Sequence, residues 1–262
     1  MMMLHTQTRW AGLVSIAVLS TLLGGCDKAA TPEVAPETTP ETTAIESVSP
    51  SAAVATDTPP TTAQAPVEQI AAATNLVEGR DYTLIKSPLT LEKPGQIEVR
   101  EFFWYGCGHC YALEPYLNNW LATKPTDVNF IRTPAALNPV WEQNARAYYA
   151  VEGMGKMSNA LHEQLFTTIH QKQQQIFDQP SLAKFYSAAG IDAAQFNSAY
   201  NSFAVSAKIN QSKKMAQQAG LSGVPALVVN GQYLVGGEPQ RVIAIVKGLI
   251  EQAQQAQAAP TR

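Results

Sequence analysis

Two cysteines separated by two residues, Cys107 and Cys110, are the side chains of this sequence best suited to chemistry. Such a pair can close a small disulfide and exchange it with the thiols of another molecule. Apolar residues recur at helical spacing directly after the pair, which predicts that Cys107 lies at a helix N-terminus. There, unpaired backbone N–H groups and the positive end of the helix dipole stabilise a thiolate. We therefore expect Cys107 to be the nucleophile and the more buried Cys110 its resolving partner.

His109 lies between the two cysteines, where an imidazole can donate to the Cys107 sulfur or, when protonated, pair with it. A zinc site, a structural disulfide and a chance occurrence are the alternatives. Zinc requires four ligands, but the chain has no second cysteine pair. We expect His162 and His170, in a later helical region, to be solvated or at the edge of the core. Covalent haem attachment requires histidine directly after the second cysteine, where Tyr111 stands.

Hydrophobic periodicity defines the elements that must position the cysteines. Residues 96–105 alternate in polarity and predict a strand that is buried on both faces towards its end. Asn230-Gly231 between two apolar runs predicts a two-residue hairpin. The remaining predicted elements are an edge strand near 82–85, a strand at 127–132, interrupted helices over 141–218, hairpin strands at 225–229 and 232–235, and a helix from 239 to 254.

Glu101 is the second residue of interest, because it lies on the apolar parity of this central strand, six positions before Cys107. Buried acids are rare unless they are paired or functional. One interpretation is a functional role near the cysteines. The other is a structural ion pair with Arg132 on the neighbouring strand.

Aromatic residues surround the cysteine pair and are candidates for an apolar rim that binds unfolded substrate. Phe103 is the best candidate for the core, whereas we expect Trp104 and Tyr105 in the rim. The cluster consists of Phe102, Phe103, Trp104, Tyr105 and Tyr111.

Residues 1–26 have the pattern of an export signal, with Arg9 before an apolar run at 10–23. As a helix this run would span about 21 Å, short of the roughly 30 Å hydrocarbon core, which disfavours a permanent transmembrane helix. The sequence Leu-Gly-Gly-Cys ending at Cys26 resembles a bacterial lipobox, whose cysteine becomes the lipidated first residue of the mature protein. Ordinary cleavage nearby is the alternative. In lipoproteins of this type, an Asp after the cysteine, here Asp27, implies retention at the inner membrane.

Composition separates the rest of the chain into a tether, a folded domain and a tail. Residues 27–75 carry seven of the 17 prolines and few large apolar side chains, so they predict a disordered tether. Residues 76–256 form the predicted folded domain, and 257–262 a disordered tail. The net charge of −3 comes mainly from the tether, and no basic block indicates nucleic-acid binding.

Three segments together resemble the DsbA family of bacterial disulfide oxidases. They are Glu-Phe-Phe at 101–103, Cys-Gly-His-Cys-Tyr at 107–111 and Gly-Val-Pro-Ala-Leu-Val-Val-Asn-Gly at 223–231. The resemblance implies an α/β fold of the thioredoxin type, with an inserted helical domain at about 139–218. It also implies that Pro225 follows a cis peptide bond and faces Cys107, and that Val224 offers backbone groups to an extended substrate. Glu101 matches the family's buried acid near the cysteines, which implies a role in relaying protons to or from Cys110.

The function that this resemblance implies is a thiol:disulfide oxidoreductase that introduces disulfide bonds into exported proteins through Cys107 and Cys110. The substrates would be reduced, unfolded exported proteins, and a DsbB-type membrane quinone oxidoreductase would restore the disulfide. No cofactor or metal is expected. The protein would be a periplasmic monomer, anchored to the inner membrane by lipid on Cys26. A reductase or isomerase on the same fold, and a thioredoxin-like binding or metal-carrier module, are the alternatives.

Overall fold

The computed structural model describes residues 75–259, which contain one mixed sheet and the helices around it. The strands are β1 (Thr83–Leu84), β2 (Ile97–Phe103), β3 (Val128–Pro134), β4 (Ala226–Val229) and β5 (Tyr233–Val235). The helices are α1 (Gly108–Leu121), α2 (Pro139–Gly153), α3 (Asn159–His170), α4 (Gln179–Ala188), α5 (Ala193–Tyr200), α6 (Phe203–Gln218) and α7 (Pro239–Ala258). This order of strand, helix, strand, helical block, hairpin and helix is the predicted one.

The central strand of the sheet is β2, in the order β1-β5-β4-β2-β3. It pairs in parallel with β3 and antiparallel with β4, and all seven of its residues are buried. A strand covered on both faces can be apolar at every position, which explains why its alternation fades towards Phe103. The register places Glu101 directly opposite Arg132.

A tight turn joins β4 to β5. Its two central residues, Asn230 and Gly231, have φ angles of 49° and 68°, as an antiparallel two-residue hairpin requires. At Gly231 a Cβ atom would lie 2.3 Å from the carbonyl oxygen of Leu89. The predicted hairpin is therefore present, and its glycine serves both the turn and a close approach of two backbones.

Two of the three hydrophobic clusters in the described residues include side chains of the cysteine helix. The first joins β2 and β4 to the apolar faces of α1 and α7, and it contains Leu113, Leu117 and Val246. The second lies within the helical insertion α2–α6 and reaches Phe103 and Cys110. Each insertion helix begins at a Ser, Asn or Asp whose side chain accepts a backbone N–H, which fixes where the helices start. These N-cap residues are Asn138, Ser158, Asp178, Asp192 and Ser202.

The structure corrects one predicted boundary. Helix α7 continues to Ala258, so residues 257 and 258 are helical, whereas we had assigned them to the tail. The segment 251–258 consists of Glu, Gln and Ala, which are good helix formers, and no proline occurs between Pro239 and Pro260.

The predicted export signal, the lipobox cysteine Cys26 and almost all of the tether lie outside the described residues. Within 75–259, none of the helices combines the length and apolar character needed to cross a bilayer.

Candidate active site

Cys107 and Cys110 lie at the N-terminus of α1, as the sequence predicts. Cys107 is the N-cap residue, and its sulfur accepts a hydrogen bond from the backbone N–H of Cys110 at 3.3 Å. Both residues are free thiols in the structure. Cys107 is half-buried, whereas Cys110 is completely buried. An incoming thiol can therefore reach only the first of the two sulfurs.

Hydrogen bonding and burial shift the pKa values of the two thiols in opposite directions. The pKa of Cys107 is lowered from 9.0 to about 6, first by a hydrogen bond from the Cys110 thiol and then by the backbone N–H groups of Cys110 and His109. The charge of the His109 imidazole contributes least among these causes. Burial raises the pKa of Cys110 far above its ordinary value, and the neighbouring Cys107 adds to this effect. At neutral pH the pair therefore holds one thiolate and one thiol.

The loop before β4 forms the opposite wall of the site. The Val224–Pro225 peptide bond is cis, and the Cys107 sulfur lies 3.3 Å from the carbonyl oxygen of Val224, to which it can donate only when it is protonated. A groove extends from this contact along residues 221–226 and 234–238, with the exposed His109 at its edge. The sulfur thus faces backbone groups that an extended chain can bind.

A buried cluster of charged groups lies behind Cys110. Glu101 has no exposed surface, and its Oε2 is 3.4 Å from Nε of Arg132. Neither of its carboxyl oxygens has a hydrogen-bond partner among the described residues. Burial raises the pKa of Glu101 to about 8, the charge of Glu114 adds to the increase, and Arg132 opposes it. Glu101 is therefore both adjacent to Arg132 and protonated at neutral pH.

Two members of this cluster were not identified from the sequence. Glu114 is buried on α1, and its Oε2 lies 3.3 Å from Nη2 of Arg132. His162, on α3, is 1% exposed, so its predicted place at the solvent or core edge is wrong. The position of Glu114, four residues after Cys110 and three before Leu117, was a usable signal, because it places an acid on a helix face with two buried residues.

His170 lies closer to the surface than His162, at the end of the same helix. Its ring stacks on that of Tyr111 with centroids 4.9 Å apart, and its Nε2 is 2.8 Å from the carbonyl oxygen of Tyr105. Since a carbonyl only accepts, Nε2 is the donor. His170 therefore connects the end of α3 to Tyr105 and Tyr111, at the start of the cysteine helix.

The aromatic residues near the cysteines are mostly core. Phe103 is completely buried, as predicted, but so is Tyr105, and its assignment to a substrate rim is wrong because the helical insertion covers it. Trp104 is partly exposed, stacks on Trp141 at 4.8 Å and donates its indole N–H to Asn144. A Cβ atom at position 106 would lie 2.3 Å from the Trp104 ring, so glycine is required there.

Metal binding finds no support in the described part of the chain, where no three His, Cys, Asp or Glu side chains group as a metal site would require.

A family model described as a DSBA-like thioredoxin domain matches residues 98–245, more than half of the chain. The chain belongs to the DsbA family. Among the relatives of this DsbA-family protein, the thiol:disulfide interchange protein DsbA of Pseudomonas aeruginosa is 36% identical over 185 residues, covering 69% of this chain and 87% of the relative. The protein of the same name from Azotobacter vinelandii is 37% identical over 183 residues, covering 68% of this chain and 85% of the relative.

A solved structure agrees with the sequence comparisons. The crystal structure of Pseudomonas aeruginosa DsbA matches with a TM-score of 0.67 and 34% identity, covering 71% of this chain and 99% of that chain. The predicted thioredoxin fold with inserted helices is confirmed. The DsbA-family protein is accordingly an enzyme, a thiol:disulfide oxidoreductase.

Proposed function

We propose that this DsbA-family protein oxidises pairs of thiols in exported proteins, with the Cys107–Cys110 disulfide as the oxidant. The observation that carries the proposal is the difference in acidity between the two cysteines. The pKa of Cys107 is about 6, whereas that of Cys110 lies far above its ordinary value. A stable Cys107 thiolate favours the reduced enzyme, and this makes the disulfide a strong oxidant.

The reaction proceeds by two exchanges. A substrate thiolate attacks the Cys107 sulfur, the Cys107–Cys110 bond breaks, and Cys110 leaves with the electron pair and takes up a proton. A second substrate thiolate then attacks the substrate sulfur of the mixed disulfide and releases Cys107 as a thiolate. Two electrons pass from the substrate to the enzyme, and the substrate gains one disulfide.

Glu101 is our candidate for the group that supplies the proton. Cys110 leaves as an anion in a completely buried position, where an unprotonated sulfur is costly. Glu101 holds a proton at neutral pH because its pKa is about 8, and its charge raises the pKa of Cys110, so the two groups interact. Transfer from Glu101 to Cys110 leaves a carboxylate, which regains its proton from solvent.

The substrate segment would lie in the groove beside Cys107. The Val224 carbonyl oxygen lies 3.3 Å from the Cys107 sulfur, and in the complex it would accept from a backbone N–H of the substrate. Binding through backbone groups at Val224 and Pro225 suits an enzyme that acts on many sequences. His109 at the edge of this groove would stabilise the thiolate that leaves in the second exchange.

The cellular setting is also part of the proposal. An export signal at 1–26, lipid on Cys26 and a tether over 27–75 would hold a monomeric domain in the periplasm, at the inner membrane. A DsbB-type quinone-linked partner would reoxidise the cysteines, and no bound cofactor takes part. Mass spectrometry of the mature N-terminus tests the anchor, since a mature protein without acylated Cys26 contradicts it.

The reduction potential of the Cys107–Cys110 couple tests the direction of electron flow. We expect a value well above that of thioredoxin, about −270 mV, and a value close to thioredoxin's would indicate a reductase. Cys110→Ser tests the mechanism, because it should trap substrate on Cys107 as an adduct on a non-reducing gel. Cys107→Ser is the control that should trap nothing. Absence of adducts from both variants would favour a binding module.

A further inference from the structure

We propose that His162 is a positioning residue of the redox centre, which keeps Glu114 ionised and thereby keeps the proton of the buried cluster on Glu101. The inference rests on the proposed role of Glu101 as proton donor. It gives the helical insertion, which contributes His162, a direct part in thiol–disulfide exchange.

Both ring nitrogens of His162 are engaged. Nε2 lies 3.1 Å from Oε1 of Glu114, and Nδ1 lies 2.8 Å from the hydroxyl oxygen of Tyr105. The histidine is 1% exposed, and its ring packs edge-on against that of Phe103 at 4.9 Å. Two hydrogen bonds and the packing against Phe103 hold the imidazole in one orientation. The ring therefore fixes the positions of the Glu114 carboxyl group and the Tyr105 hydroxyl group.

The direction of each hydrogen bond follows from the charge of Glu114. Burial raises the pKa of Glu114, the hydrogen bond from His162 and the charge and hydrogen bond of Arg132 lower it, and the pKa lies below its usual value. An ionised carboxylate only accepts, so Nε2 of His162 carries the hydrogen. Burial lowers the pKa of His162, which is therefore neutral, and Nδ1 accepts from the Tyr105 hydroxyl.

The charges in the cluster explain where its proton resides. The titratable or charged groups that face it are Glu101 and Tyr105 from β2 and the turn after it, Cys110 and Glu114 from α1, Arg132 from β3, His162 from α3, Tyr148 from α2 and Tyr186 from α4. Arg132 and ionised Glu114 already balance each other. A second carboxylate in this buried volume would be uncompensated, so Glu101 keeps its proton.

Loss of the N–H at position 162 should therefore redistribute the proton. Glu114 would lose its neutral donor, and its pKa would rise towards that of Glu101. The two carboxyl groups would then compete for one proton. As Glu114 became protonated, its charge would no longer raise the pKa of Glu101, and Glu101 would be ionised more often when Cys110 leaves.

Two substitutions of His162 separate this role from packing. His162→Gln keeps a donor for Glu114 and an acceptor for Tyr105, whereas His162→Leu keeps similar volume and removes both. Thr168→Val is the matched control, because it removes another buried polar group of α3 whose hydroxyl bonds only to the backbone of Gln164. The rate of mixed-disulfide formation by the oxidised full-length protein with a reduced peptide is measured across pH for each.

We expect the rate of the Leu variant, divided by that of the wild type, to fall about tenfold at neutral pH, the size of effect of one hydrogen bond to a charged group. The ratio should return towards one above about pH 8, where Glu101 is ionised in both proteins. The Gln and Val variants should follow the wild type. Carboxyl ¹³C NMR of Glu101, assigned with Glu101→Gln, should show its pKa lowered in the Leu variant alone.

Several outcomes would overturn the proposal. One is a folded Leu variant in which the Glu101 pKa and the pH profile both match the wild type. If the Leu variant does not fold, ¹⁵N NMR of the wild-type imidazole still decides, because a hydrogen on Nδ1 or a protonated ring at neutral pH contradicts the assignment. Glu101→Gln with an unchanged pH profile would refute the proton donor, while the ¹³C titration still tests His162 by itself.

Discussion

Raising the pH should stabilise the reduced protein relative to the oxidised one, because folding changes the acidity of Cys107. The thiol has a pKa of about 6 in the folded protein and an ordinary value of 9.0. Between these values the unfolded chain binds one proton more than the folded chain, so the free energy of unfolding increases with pH. The stabilisation is complete above pH 9 and is lost as the pH falls through 6.

The size of this effect follows from the two pKa values. A decrease in pKa from 9.0 to about 6 corresponds to about 4 kcal/mol in the free energy of unfolding, if the group is fully shielded from solvent. Cys107 is half-buried, and screening by solvent weakens the interactions of an exposed sulfur. We therefore expect the reduced protein to gain roughly 2 kcal/mol over the oxidised protein between pH 6 and pH 9.

Urea unfolding of both redox forms over this pH range provides the measurement, and the difference between the forms isolates the thiols. Glu101, whose pKa is raised, stabilises the fold at low pH and loses this effect as the pH rises through about 8. It does so in both forms, so to first order it cancels in the difference. Cys110 has a raised pKa and affects stability only above its ordinary value of 9.0.

A constant difference between the two forms from pH 6 to pH 9 would refute the stabilised thiolate. Thiolate absorbance in Cys110→Ala tests the cause, because the Cys110 thiol makes the largest contribution to the lowered pKa of Cys107. The pKa of Cys107 should rise in this variant. An unchanged value would mean that the backbone N–H groups alone hold the thiolate.

Two further predictions concern the surroundings of the site. Arg132→Met leaves buried carboxyl groups unpaired and should lower the free energy of unfolding in urea by about 3–5 kcal/mol, and it should move the pH profile of thiol exchange upwards. Arg100→Met removes a buried arginine of β2 that pairs with Glu98 instead of Glu101 and Glu114, and it should destabilise without moving that profile; a matching shift would contradict the cluster's role. Gly231→Ala should cost more stability in thermal unfolding than Gly95→Ala, by about 1 kcal/mol or more, because both have positive φ but only Gly231 contacts another backbone. Equal losses would mean that the contact is unimportant.

Much of the fold was predictable because its signals are local. The strong apolar pattern of β2, the helical spacing after Cys107 and the Asn230-Gly231 turn each depend on residues close in sequence. The ends of the elements were predicted less accurately, because they depend on contacts with residues that are distant in sequence. Strand β2 ends at Phe103, two residues before the predicted end, and the aromatic run continues beyond it because the insertion, rather than the sheet, covers Tyr105.

The buried cluster was only partly predictable because its contacts are distant in sequence. The contact of Glu101 with Arg132 was predicted because the two residues lie on adjacent strands, and the structure contains this contact. The contact of His162 with Glu114 joins residues 48 positions apart and depends on how the insertion packs against α1. A histidine on an apolar helix face does not reveal its partner, and His162 was therefore assigned to solvent or to the edge of the core.

The two halves of the redox chemistry come from different parts of the chain. Cys107 owes its acidity to neighbours within three residues, so the first turn of α1 is enough to hold a thiolate. Cys110 owes its proton to burial, and the core that buries it includes Leu165 and Phe166 of the insertion. The same insertion supplies His162, which binds Glu114. If the insertion were displaced, Cys110 would become easier to ionise while Cys107 remained a thiolate. The insertion therefore sets how the second thiol gains and loses its proton, whereas the thioredoxin-like part sets the reactivity of the first.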